Sequence, residues 1–158
     1  MPLLRGKLMT ADDMLSIQQA VAAYGAALDG AEVSLFERCF TQDAELFLVG
    51  FKQTVDEYVA QCQKAYNLLE AMHHHCATTL LDCDRKSDGS IGGRTPFVAY
   101  HFGKSHSEPL VIGGEYLDVF CRTSKGWRIA RRTGRARWQM GDPTMLAPLM
   151  DRPPTILA

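Results

Sequence analysis

The spacing of apolar residues along this 158-residue chain changes near Glu70, and that change most constrains the fold. Before Glu70, apolar residues recur at the three- and four-residue intervals that are typical of one face of a helix. After it, β-branched and aromatic residues fill segments that are bounded by turn-forming residues. Helices followed by a run of antiparallel strands predict an α+β domain.

The helical half predicts three helices and one strand. The first helix begins after the N-cap residue Thr10, has acidic residues in its first turn, and ends at Asp29-Gly30. A short second helix covers 33–40, and a strand follows over 44–49. The run Thr54-Val-Asp-Glu57 has the pattern of a capping box, and it predicts the start of the third helix.

The second half predicts two pairs of antiparallel strands. The turn residues are Asp84–Gly89 in the first pair and Thr123–Gly126 in the second, and the strands cover 73–83, 94–102, 110–122 and 127–138. The chain from Asp142 onward predicts irregular structure or a short helix. No repeat, linker or low-complexity segment interrupts the sequence, so we expect one domain over residues 1–158.

Composition and charge exclude several classes of partner. Hydrophobic residues make up 46% and charged residues 22%, a balance typical of soluble globular proteins. The net charge of −1 gives no electrostatic reason to bind nucleic acid or an anionic membrane. The only basic cluster lies on a predicted strand, where alternate side chains point to opposite faces; it comprises Arg128, Arg131, Arg132, Arg135 and Arg137.

The cysteines indicate a reducing compartment. The five cysteines are odd in number and form no Cys-x-x-Cys pair. No apolar run approaches the length of a membrane span, and the N-terminal residues lack an apolar signal region. We therefore expect free thiols and a cytoplasmic protein. Neither Cys76 nor Cys83 has an evident activating neighbour, so a thiolate nucleophile is not favoured.

Asp29 and the histidine run His73-His74-His75 form the candidate site. Asp29 lies at a helix C-terminus, where the macrodipole disfavours a carboxylate unless a specific partner stabilises it. An ionised carboxylate within hydrogen-bond reach of an imidazole fixes its tautomer and favours its protonated form. Such a pair is suited to removing a proton from carbon. The alternative is a purely structural role, in which Asp29 caps a loop and the histidine is an ordinary strand residue.

The histidine run leaves the register open. In a regular strand, His73 and His75 share one face and His74 points to the other, but a bulge would reverse this. A metal site built from His73, His75 and His101 is the alternative that this face suggests. No acidic fourth ligand is suitably spaced, so we predict no metal.

Several segments, in this order and spacing, resemble the SnoaL-like branch of the NTF2-like superfamily, which includes dehydratases, a dehydrochlorinase and polyketide cyclases. The resemblance spans roughly residues 10–140, and the segments that carry it are Tyr24-Gly-Ala-Ala-Leu-Asp29, Leu35-Phe-Glu-Arg-Cys-Phe-Thr-Gln-Asp-Ala44, His74-His-Cys-Ala-Thr78, Gly114-Glu-Tyr-Leu-Asp118 and Gly126-Trp-Arg-Ile-Ala-Arg-Arg132. The resemblance implies a cone, with helices packed into a curved, mainly antiparallel sheet around a blind apolar pocket.

The resemblance also implies roles for four residues. Asp29 and His74 would form the proton-abstracting dyad, with Tyr24 donating a hydrogen bond and Arg132 assisting from the final strand. Tyr24 and Arg132 would line the same cavity as the dyad. The alternatives are structural roles. Tyr24 would then be a core residue, and Arg132 would face outward in an ion pair with Asp118 or Glu115.

The resemblance implies a lyase or isomerase of the dehydratase or cyclase type that needs no cofactor. Its substrate would be a hydrophobic cyclic compound such as a steroid, a polyketide or an aromatic-derived molecule. The alternative is a non-catalytic binding or assembly module, like the small subunit of a ring-hydroxylating dioxygenase. One face of the sheet packs against the helices, but the strands also carry apolar residues at alternate positions that the helices cannot cover. We therefore also predict a homo-oligomer, either a dimer or a trimer.

Overall fold

The computed structural model describes residues 9–150, and its helices lie mainly in the first half of the chain. Helix α1 spans Ala11–Asp29, a 3-10 turn at Val33–Leu35 leads into α2 at Phe36–Cys39, and α3 spans Val55–Leu68. Both long helices begin with capping boxes, formed by Thr10 with Asp13 and by Thr54 with Glu57. The helix starts predicted from these residues are confirmed.

One curved sheet holds all seven strands of the described residues. Its path is β2-β1-β7-β6-β5-β3, and β4 pairs with β5 beside that path. Neighbours are antiparallel except β1 and β7, which run parallel. The strands are β1 (Phe40–Leu48), β2 (Phe51–Gln53), β3 (Leu69–Cys76), β4 (Leu80–Leu81), β5 (Ile91–Gly103), β6 (Leu110–Thr123) and β7 (Gly126–Met140). A 3-10 helix over Pro143–Leu149 follows β7.

The prediction of one continuous strand over 73–83 is wrong, because the structure has two separate strands, β3 and β4, in this region. Strand β3 already begins at Leu69, directly after α3, and it stops at Cys76. The amide of Ala77 still donates to the carbonyl of Pro96 at 2.9 Å. Pro96 has no N–H to return a hydrogen bond, so the ladder with β5 ends there. Pairing with β5 resumes only at β4.

The core lies between α1 and the concave face of the sheet. Its largest fully buried apolar side chains include Trp127, Phe120, Ile17, Leu46 and Ile129. Irregularities in pairing between Gly113 and Gly114 and between Val119 and Phe120 interrupt the β6–β7 ladder. Such bulges increase local bend and twist. The predicted α+β cone, with helices packed in a curved and mainly antiparallel sheet, is confirmed.

Within residues 9–150, no helix is long and apolar enough to span a membrane.

Candidate active site

A mostly apolar cavity of about 170 Å³ opens between α1, α3 and the concave face of the sheet. Its polar lining is confined to a few groups: three tyrosines, two histidines, one glutamine and one cysteine. These are Tyr24, Tyr58, Tyr116, His74, His101, Gln61 and Cys62. An apolar cavity with a few converging polar side chains is the usual form of a small-molecule site.

Asp29 and His74 meet at the rim of this cavity. The carboxylate accepts a hydrogen bond from His74 Nδ1 at 2.8 Å, and the His74 backbone N–H donates to both carboxylate oxygens at 2.9 Å. Gly25 makes the close packing of α1 on β3 possible, because a Cβ there would lie 3.2 Å from the His74 carbonyl oxygen. The last residue of α1 therefore meets the middle of β3.

The contacts with His74 stabilise the Asp29 carboxylate, which the dipole of α1 disfavours at the helix C-terminus. Burial alone would raise the pKa of Asp29. The hydrogen bonds from the ring and the backbone of His74, together with the charge of His73, lower this pKa by more than burial raises it. The net pKa lies below the usual value, so Asp29 is ionised at neutral pH. An ionised carboxylate only accepts hydrogen bonds, which places the proton of neutral His74 on Nδ1.

Only the middle histidine of the run lines the cavity. The side chain of His74 is 7% exposed, whereas that of His73 is 66% exposed. His73 Nδ1 nevertheless lies 3.3 Å from Asp29 Oδ2, so it contacts the carboxylate from the solvent side. With Nδ1 held by Asp29, Nε2 is the His74 nitrogen that is left to act on a ligand.

His101 is a second imidazole in the cavity, and sequence reasoning considered it only as a metal ligand. Its ring centroid lies 5.7 Å from that of His74, and its Nδ1 lies 3.3 Å from the Leu110 carbonyl oxygen. A carbonyl only accepts, so Nδ1 carries the proton and Nε2 is an acceptor. Burial, with the charge of His74 as a smaller cause, lowers the pKa of His101 to about 4.

The alternative metal site is wrong in its geometry. His101 is buried in the cavity, whereas His73 and His75 are exposed. The described part of the chain holds no group of three or more His, Cys, Asp or Glu side chains that could bind a metal ion.

Tyr24 lines the cavity from α1 and belongs to a buried cluster of aromatic rings. Its hydroxyl lies 2.6 Å from the hydroxyl of Tyr58, and its ring meets the ring of Tyr116 edge-on at 5.4 Å. Burial raises the pKa of Tyr24 to about 12, against an opposing effect of Arg132. Tyr24 is therefore a protonated hydrogen-bond donor at neutral pH.

The expectation that Arg132 lines the cavity is wrong. Its side chain is 0% exposed, and it donates two hydrogen bonds to Asp118 at 2.8 and 2.7 Å. Its guanidinium carbon lies 4.4 Å from the ring centroid of Tyr24 and 4.2 Å from that of Tyr116. A buried guanidinium needs a paired carboxylate, and Asp118 stands opposite it in the β6–β7 register. Arg132 thus faces inward, not outward, and the rings of Tyr24 and Tyr116 separate it from the cavity.

Sequence reasoning missed Tyr58 and Tyr116 as cavity residues, and it considered His101 only as a metal ligand. The alternation along β6 could have indicated Tyr116, because it shares a face with the buried Asp118. The same alternation along β5 places His101 on the face of Phe97 and Ala99. Tyr58 lies in the first turn of α3, and no local pattern marks it as a cavity residue.

The architecture and the cavity define a protein of the NTF2-like kind, an α+β cone around an apolar pocket. More specifically, the chain belongs to the SnoaL-like domain family, which it matches over residues 9–133. No curated protein matches the sequence.

Solved structures with the same fold come from several bacteria. A proposed scytalone dehydratase from Novosphingobium aromaticivorans is 19% identical, with a TM-score of 0.72 over 82% of this chain and 87% of that chain. A hexachlorocyclohexane dehydrochlorinase from Novosphingobium barchaimii is 13% identical, with a TM-score of 0.68 over 80% and 87%. A protein from Kribbella flavida is 20% identical, with a TM-score of 0.73 over 87% and 97%. At these identities the likeness shows a shared fold.

Proposed function

We propose that this protein is a cofactor-independent lyase or isomerase of the dehydratase or cyclase type. In this proposal, Asp29 and His74 remove a proton from carbon in a hydrophobic cyclic substrate such as a steroid, a polyketide or an aromatic-derived compound. The observation that carries the proposal is the 2.8 Å contact between Asp29 and His74 Nδ1 beside an apolar cavity that the imidazole lines.

The geometry suits His74 as a general base. Neutral His74 has its Nε2 lone pair available, and proton uptake there creates an imidazolium whose charge Asp29 balances. The side chain of His74 is only 7% exposed, and this burial strengthens its electrostatic interaction with the carboxylate. A positioned base typically contributes about 10²–10⁴ in rate.

Tyr24 is proposed to donate a hydrogen bond to the substrate from the same cavity. Arg132 does not reach the cavity, so it is a positioning residue that acts through the rings of Tyr24 and Tyr116. Two of the structural neighbours are named for eliminations, a dehydratase and a dehydrochlorinase. Their names agree with a reaction that begins by proton removal, although fold alone does not determine function.

A conversion screen tests the proposal. The protein is incubated with a panel of cyclic hydroxyketones, including steroids and aromatic-derived compounds, and mass spectrometry follows loss of water or isomerisation. We expect conversion by the wild-type protein, and loss of conversion in His74→Gln. The matched control is His75→Gln, because His75 is exposed on the same strand.

The alternative is a non-catalytic module that binds a small ligand. Native mass spectrometry on the same panel separates the two. A compound that stays bound to the wild-type protein and to His74→Gln, and that neither protein converts, would contradict the enzyme and favour the binding module.

A further inference from the structure

The turn between β1 and β2 holds a valine in a backbone conformation that valine rarely adopts. Leu48 pairs with Phe51 across the hairpin. The two residues between them, Val49 and Gly50, have φ angles of 56° and 88°. Positive φ at both central residues is the pattern of a type I′ turn, which favours Asn-Gly or Asp-Gly. Glycine suits its position here, but a β-branched residue at positive φ is strained.

The side chain of Val49 belongs to the cavity wall. It is half-buried, lines the cavity and packs against the main hydrophobic core. Gly50 also lines the cavity but is exposed to solvent. The turn is therefore a boundary between the cavity and solvent, and of its two central residues Val49 alone has a side chain. Strained conformations of this kind persist where packing determines them, and they cluster at ligand sites.

The polar and apolar walls of the cavity come from opposite ends of the sheet. His74 belongs to β3 and His101 to β5, at one end of the strand order β2-β1-β7-β6-β5-β3. At the other end, β1, β7 and the β1–β2 turn contribute only apolar residues to the described lining; these are Leu48, Val49, Gly50, Gly134 and Ala136. A ligand whose polar group meets the histidines therefore directs its apolar part towards β1 and β7.

Val49 is the side chain that limits this apolar end. Gly134 and Ala136 have little or no side chain, so β7 leaves space beside it. Leu48 packs flat on Gly134, where an added Cβ would lie 2.8 Å from Leu48 Cδ2. Valine has a stiff χ1, so Val49 yields to a ligand poorly by changing rotamer. A ligand that extends further along the cavity floor must displace the turn itself.

We propose that Val49 is a specificity-determining residue, a steric stop that limits how far the apolar part of a ligand extends from the histidines. The ligand class that it selects is a cyclic compound with a polar group at one end and a short apolar substituent at the other. As a statement about the substrate of an enzyme this rests on the proposed function, whereas the limit on ligand length applies equally to a binding module.

Binding of a homologous series of 4-alkylphenols tests the stop without any turnover. The phenol O–H can donate to the Nε2 acceptor of a cavity histidine, and linear chains from methyl to octyl extend from the opposite side of the ring. Isothermal titration calorimetry with the full-length protein measures each Kd. For the wild-type protein, we expect affinity to rise about fourfold with each methylene group that is buried. Affinity should then fall for chains that are long enough to meet Val49.

Val49→Gly should extend the range of chains that bind. It removes the side chain and relieves the backbone, so chains that are about two methylene groups beyond the wild-type limit should bind about tenfold tighter than they bind the wild-type protein. Val49→Asn also relieves the backbone but keeps a side chain of similar size, so its limit should stay close to that of the wild-type protein. Both replacements are residues that a type I′ turn prefers, so both variants should fold.

The matched control is Ala31→Gly. Within residues 9–150, Ala31 is the other non-glycine residue with a positive φ, at 54°, and it lies in the exposed loop after α1. Its replacement relieves the same kind of backbone conformation away from the described lining of the cavity, and it should keep the wild-type limit. Repeating the series in His74→Gln should change affinities but not the limit, because His74 lies at the opposite end of the cavity.

Three results would overturn the stop. The first is a wild-type protein that binds none of the alkylphenols, or whose affinity keeps rising through the octyl compound. The second is a limit that stays at the wild-type chain length in Val49→Gly. The third is an equal extension in Val49→Asn and Val49→Gly, because relief of the turn, not loss of the side chain, would then explain it. A conversion screen without any reaction would contradict the proposed enzyme and leave the predicted length limit standing.

Discussion

The carboxylate of Asp29 binds both the ring and the backbone of His74, with Nδ1 at 2.8 Å and the amide nitrogen at 2.9 Å from it. The backbone contacts anchor the carboxylate to the strand, and the ring contact then fixes the imidazole relative to the same strand. The orientation of His74 therefore depends on how α1 packs against β3, not on a flexible loop. This rigidity is what a positioned base requires.

The three adjacent histidines should differ in their importance for catalysis. His74→Ala should abolish proton abstraction, because His74 lines the cavity and contacts Asp29 through Nδ1. His73→Ala should be tolerated, since His73 is exposed and its contact with Asp29 comes from the solvent side. Steady-state rates on a converted substrate check this. Equal losses in the two variants would contradict the assignment of His74.

His101 should make stability fall in mild acid. Its folded-state pKa of about 4 lies below its ordinary value of 6.5, so the unfolded chain binds more protons between these values. The stabilising effect of neutral His101 is fully present above pH 6.5 and is lost as pH falls towards 4, by up to about 3 kcal/mol. Urea unfolding between these pH values should show a weaker pH dependence in His101→Gln than in the wild-type protein. The control His75→Gln should keep the wild-type slope.

Replacing only one partner of the buried ion pair between Arg132 and Asp118 should destabilise the fold strongly. Arg132→Met leaves the Asp118 carboxylate buried without its partner, and it should lower the free energy of unfolding by about 3–5 kcal/mol. Arg131→Met is the matched control, because Arg131 is exposed on the same strand and should change stability little. Chemical denaturation measures both. The double change Arg132→Met with Asp118→Leu should recover much of the loss, and a further drop would contradict this account.

Much of α1 and of the dyad followed from local sequence signals. The capping box at Thr10 set the start of α1, and the position of Asp29 at its end required a partner that His74 supplies. Strand alternation alone left the register of the histidine run open, and the family resemblance pointed to His74. The pairing irregularity in β3 lies between Leu69 and Ala71, before the histidines, so alternation holds across the run.

The tyrosine cluster and the place of Arg132 could not be predicted in the same way. Tyr24, Tyr58 and Tyr116 are brought together by packing among α1, α3 and β6, and no local pattern encodes that packing. The side of β7 on which Arg132 lies depends on its register with β6, which shifts between Val119 and Phe120. A sequence pattern does not fix such a shift, since one residue of slip moves a side chain to the other face.

The homo-oligomer stays a prediction, and the outer face of the sheet indicates where its interface would lie. Tyr100, Val111 and Met140 are paired across β5, β6 and β7, and Val98, Gly113 and Trp138 form the adjacent row. Met140 is 66% and Trp138 45% exposed. Light scattering should give two or three times the chain mass of 17.6 kDa, and Met140→Lys should weaken the assembly. A wild-type mass of one chain at micromolar concentration would remove this prediction.

Solvent deuterium incorporation in Asp29→Asn tests the central claim most directly. A cyclic ketone that the wild-type protein turns over is incubated in deuterated water, and mass spectrometry follows exchange at the carbon that loses its proton. The amide can still accept a hydrogen bond from His74, but it cannot balance the charge of an imidazolium. We predict an unchanged circular dichroism spectrum and an exchange rate lowered by about 10²-fold or more. Exchange at the wild-type rate in a folded Asp29→Asn protein would contradict the account.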